Sequence, residues 1–235
     1  MTREGELSTG TDREESWPQS PYVHALRFRI LTPLYDTVVG LGMREKRIKT
    51  TLLQQASIVG GTRVLDLGCG TGTLAILGCL LHPAAEFTAI DGDPAILSIA
   101  ERKARAAGVS VRFAHGMADA IPFPDGAFDR VVSSLLFHHL TIDQKRRSFE
   151  EIRRVLAPRG ELHVADFGKP EGRYARIASK MLSRFDGVET TRDNFEGRLP
   201  EILESAGFTA RAGHRIQTTF GTLQFISASP RAAGG

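Results

Sequence analysis

Between Arg63 and Ala165, short runs rich in β-branched and aromatic residues alternate with longer stretches whose apolar positions recur every three or four residues. Arg63 to Asp66, Glu86 to Ile90, Val109 to Ala114, Phe128 to Ser133 and Glu161 to Ala165 are predicted as strands. Leu74 to Leu81, Pro94 to Ala107 and Ile142 to Leu156 are predicted as helices. Strands separated by helices join through right-handed crossovers, so the expected fold is α/β, a doubly wound parallel sheet covered on both faces. After Asp166 the pattern changes to helices from about Tyr174 to Phe185 and from about Phe195 to Ala206. Two strands follow, Phe208 to His214 and Thr218 to Ile226, joined through a tight turn and expected as an antiparallel pair at the sheet edge.

Upstream, Leu26, Ile30, Leu34, Val38 and Leu41, then Ile48, Leu52, Leu53 and Ala56, keep helical spacing, with breaks at Pro33 and around Gly40 and Gly42. Residues 22–57 are therefore expected as two or three helices over the main domain. Residues 1–21 carry Glu, Ser, Thr, Gly and Pro without periodicity and read as a flexible tail. One domain is expected over 22–235.

Composition narrows the function classes. A chain of 235 residues, 41% hydrophobic and 24% charged, can bury a full core, and its 30 Lys+Arg are interspersed with 27 Asp+Glu. That mixture lacks the basic stripe of a nucleic-acid surface, so no nucleic-acid partner is expected. Two cysteines, Cys69 and Cys79, have no metal-ligand spacing, so no metal is expected and a reducing cytoplasm fits. The first fifteen residues lack an export signal's apolar stretch, and no apolar run reaches the roughly 18 residues of a membrane span.

The candidate chemistry begins at Val64-Leu65-Asp66-Leu67-Gly68-Cys69-Gly70-Thr71-Gly72, a buried strand entering a glycine-rich turn that opens a helix. Glycines there let backbone approach a ligand, and the helix start offers free N–H groups. The second strand ends in Ile90-Asp91-Gly92-Asp93, where an acid reaches the hydroxyls of a bound ribose. The spacing is G-x-G-x-G after Asp66, not the G-x-G-x-x-G of nicotinamide enzymes.

Asp66 to Gly72 resembles the first motif of the class I methyltransferases that use S-adenosylmethionine (SAM). The resemblance continues through Asp91, through Ile121-Pro122-Phe123-Pro124-Asp125-Gly126-Ala127-Phe128-Asp129, and through Arg153-Arg154-Val155-Leu156-Ala157-Pro158-Arg159-Gly160-Glu161. Within the class, the segment Leu34-Tyr35-Asp36 is similar to one shared by ubiquinone/menaquinone C-methyltransferases and bacterial phospholipid N-methyltransferases. The resemblance implies a Rossmann-like sheet of seven strands, the last antiparallel, capped by N-terminal lid helices. SAM would lie across the carboxyl ends of the strands and leave as S-adenosylhomocysteine, with a small-molecule or lipid-like acceptor of quinol, amine or phospholipid type. The alternative is a non-catalytic SAM-binding protein on the same fold.

The resemblance also implies residue roles. Gly68 and Gly70, with Cys69 and Thr71 between and beside them, approach the methionine part of SAM, while Gly72 serves helix packing. Asp66 orders the loop and the ammonium group, and Asp91, followed by Gly92, holds the ribose. Where many relatives carry Gly-Asp-Ala, this chain has Gly116-Met117-Ala118. Met117 and Ala118 are expected against the adenine, its amino group turning to Asp119 or a backbone carbonyl. Ser133 and Ser134 are expected under the methyl donor.

His138 and His139, beyond a strand's carboxyl end, read either as a proton acceptor or as packing residues. Tyr35 reads as a lid group or a core aromatic. Asp166 and Phe167 border the acceptor, or Asp166 caps the segment after it. Arg27, Arg29, Arg44, Lys46, Arg47 and Lys49 form a basic face for an anionic membrane or a solvated face of a helix packed on its own domain. The stretch Ser133-Ser134-Leu135-Leu136 lacks the Asn/Asp-Pro-Pro-Tyr signature of nucleic-acid methyltransferases, and two cysteines are too few for arsenic capture.

Overall fold

The computed structural model describes residues 45–218 and 220–231. The expected tail, the helices expected between 22 and 44, and Tyr35 lie outside the described residues. Helix α1 (Glu45–Gln55) leads into β1 (Arg63–Leu67), α2 (Thr73–Leu81), β2 (Glu86–Asp91), α3 (Pro94–Ala106), β3 (Arg112–His115) and β4 (Phe128–Ser134). A 3₁₀ turn (Phe137–His139) precedes α4 (Ile142–Val155) and β5 (Leu156–Phe167). Three helices follow, α5 (Gly172–Asp186), α6 (Val188–Glu196) and α7 (Leu199–Ser205), then β6 (Phe208–Thr218) and β7 (Gly221–Pro230).

The strands form one sheet in the order β3-β2-β1-β4-β5-β7-β6. Pairing is parallel from β3 to β5 and antiparallel where β7 meets β5 and β6. Successive side chains of a strand point to opposite faces, and both faces here are covered. Val64 and Phe87 join Leu52, Leu53, Leu74 and Leu97 on the side of α1, α2 and α3. Leu65, Val131 and Leu162 join Phe149, Ile152 and Leu203 on the side of α4 and α7. The strand reversal between β3-β2-β1 and β4-β5 places the carboxyl ends of β1, β2 and β4 around one region, the usual ligand position of such sheets.

Several boundaries differ from the expected ones for local reasons. β3 starts at Arg112 because the Val109 amide still donates to the Ala104 carbonyl, closing the exit of α3 around left-handed Gly108. The helix expected over 195–206 is two helices, divided at Gly197 (φ 79°), with Pro200 in the first turn of α7. β5 starts at Leu156, pairs with Phe128, and bulges through Pro158-Arg159-Gly160 before Glu161 meets Arg130. β6 passes the expected end at His214 through a bulge between Ala212 and Arg215 and reaches Thr218.

Candidate functional site

The glycine turn after β1 is fastened by backbone. The Gly68 and Cys69 amides both donate to the Ile90 carbonyl, at 3.0 and 2.9 Å, so the turn is held against the end of β2. Gly68, Gly70 and Gly72 are left-handed, at φ 70°, 53° and 75°. A Cβ on Gly72 would stand 2.9 Å from the Ala100 methyl, which makes it a packing glycine between α2 and α3. At Gly68 it would meet the Leu136 side chain at 2.7 Å, whereas at Gly70 it would meet nothing within 4 Å.

Asp91 completes this turn. Its carboxylate accepts from the Gly70 amide at 2.9 Å and the Asp93 amide at 3.0 Å, and burial pushes its pKa up. Asp93 in turn caps α3 by accepting from the Ala95 and Ile96 amides. Asp66 is almost wholly buried and accepts from the Ala75 amide in the first turn of α2, at 3.1 Å. Burial raises it to about 7, against the pull of the Lys49 charge. Lys49 was expected on the exposed basic face with Lys46 and Arg47. Its side chain is instead only 15% exposed, salt-bridged to Glu45, because it lies on the side of α1 turned toward the loop. Thr71 accepts from Lys103 at 2.8 Å, and burial pushes the Cys69 thiol up.

The Gly116 amide donates to the Asp91 carbonyl, which brings Gly116-Met117-Ala118 beside Gly92 and Asp91. Met117 and Ala120 close a short bridge there. Asp119 already accepts from Arg147 at 3.1 Å. The Ile121 to Asp129 motif serves as a brace. Arg154 donates to the Phe123 and Ile121 carbonyls and to Asp125, Glu151 accepts from the Ile121 amide, and Asp129 pairs with Arg63.

The ends of β4 and β5 are built differently, from buried ionisable groups paired with one another. Ser133 is fully buried and donates its hydroxyl to the Leu67 carbonyl at 3.0 Å, tying β4 to β1, while half-buried Ser134 lies opposite Ala165. Leu135 takes φ 60°, a left-handed conformation that costs a bulky residue on the order of 1–3 kcal/mol. That twist lays Leu136 against Gly68 and starts the 3₁₀ turn. Asp166 then accepts from the Phe137 amide and lies 2.7 Å from His138 Nδ1. Asp166 thus caps the turn before α4, not the segment after β5.

His138 is 3% exposed, 3.9 Å from the His139 ring centroid and edge-on to Phe167. Burial opposes a charge on Asp166, but the adjoining His138 holds its carboxyl below the usual carboxylate range. Burial, then repulsion from His138, lowers His139 to about 3, so it is neutral at physiological pH. Behind them Lys145, with no exposed surface, donates to the Thr190 carbonyl at 2.8 Å and stands 3.6 Å from Asp193. Asp193 also accepts from Arg198, and burial lowers Lys145. This pair fixes α6 over the 3₁₀ turn. Sequence reasoning passed over Lys145, although it lies three and four residues before Ser148 and Phe149, on the buried stripe of α4.

Residues 64–160 match the family described as Methyltransferase domain. The chain is 40% identical over 189 residues to the demethylmenaquinone methyltransferase of Thermus thermophilus, covering 76% of this chain and 83% of that one. The chain belongs to the class I SAM-dependent methyltransferases of the ubiquinone/menaquinone group. Solved structures agree with this methyltransferase in fold. A SAM dependent methyltransferase from Aquifex aeolicus superposes with TM-score 0.63 at 22% identity, over 84% of this chain and 96% of that one. The [4+2]-cyclase SpnF superposes with TM-score 0.67 at 22% identity, over 86% and 93%. These two likenesses, both at 22% identity, speak for fold alone.

Proposed function

We propose that this methyltransferase transfers a methyl group from SAM to a ring carbon of a quinol-type acceptor and releases S-adenosylhomocysteine. The observation carrying the proposal is the Gly70–Asp91 arrangement: a left-handed glycine facing open space, next to a carboxylate that ends β2. A side chain at position 70 would fill that space, so the loop fits a ligand with backbone contacts. Asp91 would exchange the Gly70 amide for ribose hydroxyls, with Gly92, Met117 and Ala118 alongside the adenine. Gly68, Cys69, Gly70 and Thr71 would line the methionine end, where Asp66 and Lys49 offer opposite charges to its ammonium and carboxylate. When bound, SAM supplies an electrophilic methyl carbon open to in-line displacement.

The residues' remaining work is orientation and proton handling. His138, held at Nδ1 by Asp166, would be the group that accepts the acceptor's hydroxyl proton. Removing that proton moves electron density onto the adjacent ring carbon. The buried Asp166 carboxylate then faces the imidazolium, and His139, neutral, adds no competing charge. Ser133 would support the methyl donor through the backbone it fastens, with Ser134 next to it at the end of β4. The quinol class comes from the relative's name and from the small-molecule group to which the chain belongs. Among the described residues no helix is long and apolar enough to cross a membrane.

The test is calorimetric titration with SAM and S-adenosylhomocysteine, alongside Asp91→Ala and Gly70→Val, followed by transfer from labelled SAM to a short-tailed demethylmenaquinol. Binding lost in both variants, with ring-methylated product from the parent, is expected. Absence of binding to folded parent protein would overturn the proposal. Binding without turnover on quinols, amines or phospholipids would favour the non-catalytic alternative.

A further inference from the structure

Helix α5 carries on its outer side what a soluble surface helix rarely does. Ala175 and Ser179 are buried and Leu182 packs toward the core, so the opposite side faces outward. There Tyr174, Ile177 and Met181 recur at i, i+3 and i+7 and are 63%, 61% and 59% exposed, and Val188 continues them into α6 at 60%. At 100° per residue these positions form one arc. Arg173, Arg176, Lys180 and Arg184, all exposed, form the arc beside it. The helix contains no acidic residue before Asp186 at its last position, and Glu171 before it is engaged by Arg215.

Its position matters as much as its composition. α5 follows directly from β5, whose last residue, Phe167, has its ring against His138. α6, packed against both α5 and the Phe137–His139 turn, links the outer arc to the proposed proton acceptor.

We infer that the outer face of α5 is a contact for an anionic lipid surface, with Ile177, Met181 and Tyr174 entering the interface and the four cations meeting headgroups. An apolar arc beside a basic one is the pattern of a helix lying in a bilayer surface. Charge complementarity selects this occupant. A second copy docked through the same face would bring four cations against four. Residues 22–44 would bring Arg27, Arg29 and Arg44 with only Asp36 as an acid, and residues 1–21, although they carry Glu4, Glu6, Asp12, Glu14 and Glu15, offer only Met1, Leu7 and Trp17 to the apolar arc. A lipid-tailed acceptor would then enter from the bilayer beside the site. That benefit rests on the quinol reading, whereas lipid binding itself does not.

The test is co-sedimentation of the full chain with phosphatidylcholine vesicles, with and without phosphatidylglycerol. Binding is expected to be roughly tenfold or more tighter with the anionic lipid. Arg176→Glu/Lys180→Glu and Ile177→Ser/Met181→Ser should each lose roughly tenfold or more of it, while melting curves and SAM affinity stay unchanged. Parent protein that ignores anionic vesicles, or variants that bind them as the parent does, would overturn the inference. So would an Ile177→Ser/Met181→Ser variant that only converts a dimer to a monomer. Parent and variants should methylate a short-tailed quinol in solution equally and differ only on a long-tailed quinol in vesicles. Vesicle binding by a parent inactive on both quinols would sink the quinol reading and leave the lipid contact standing.

Discussion

The two halves of the site solve the same positioning problem with different materials. At the ends of β1 and β2, geometry is set by backbone: the Gly68 and Cys69 amides on Ile90, the Gly70 amide on Asp91, and glycines in left-handed conformations. At the ends of β4 and β5 it is set by buried side chains, with Asp166 holding His138 and the turn, and Lys145 and Asp193 holding α6. A backbone-built pocket tolerates neutral substitutions around it and fails when a side chain is added. A pocket built on buried charges fails when one partner is removed, because the other is left uncompensated.

The largest expected effect falls on the charged half. Asp166→Asn should lower kcat by roughly 10²–10⁴-fold, the range for losing a positioned base, with SAM affinity nearly kept. A kcat within threefold of the parent would show that His138 only packs. Asp166→Ala should also cost on the order of 3–5 kcal/mol of stability by denaturant unfolding.

Next comes the backbone half, where Asp91→Ala removes charge-assisted hydrogen bonds worth roughly 1.5–3 kcal/mol each. Calorimetry should show SAM binding weakened by tenfold or more, and the melting temperature should fall too, because the Gly70 and Asp93 amides lose their acceptor.

The two halves should also differ in the sign of their pH response. Asp66, raised from 3.8 to about 7, binds its proton more tightly folded than unfolded, so its contribution to stability is full below pH 4 and is lost as pH rises through 7. His139, lowered from 6.5 to about 3, contributes stability above pH 6.5 that is lost as pH falls toward 3. Melting curves of Asp66→Asn should therefore lose the decline between pH 4 and 7, and those of His139→Phe should lose part of the acid-side decline. The reverse pattern would refute both assignments.

The smallest expected effect separates neighbours. Ser133→Ala should cost about 1 kcal/mol through its lost bond to Leu67 and leave SAM affinity unchanged. A tenfold loss of affinity would place Ser133 in direct contact with the cofactor.

This contrast also explains what could be read from the chain alone. The backbone half lies in contiguous residues, 66–72 and 91–93, whose residue types declare their conformations, so loop, acid and flanking elements were legible together. The charged half draws on residues 138, 145, 166 and 193, which only the fold brings side by side. His138 and Asp166 were each visible as candidates, but their pairing was not, and Lys49 passed for part of a solvated face. Likewise strand and helix identity followed from periodicity, while the division at Gly197 and the early start of β5 depended on a left-handed glycine and a bulge that leave the apolar pattern nearly undisturbed.

The strand order has a consequence for the timing of folding. β7 is made after β6 yet lies inside it, paired with β5 along Leu162 to Phe167. While the chain emerges from the ribosome, β1 to β5 can assemble with their crossover helices, but the flank of β5 has no neighbour until residues 221–230 have been synthesised. β6 has no place in the sheet until β7 is made, and during that interval β5, which carries Asp166, is the exposed rim of a half-built protein.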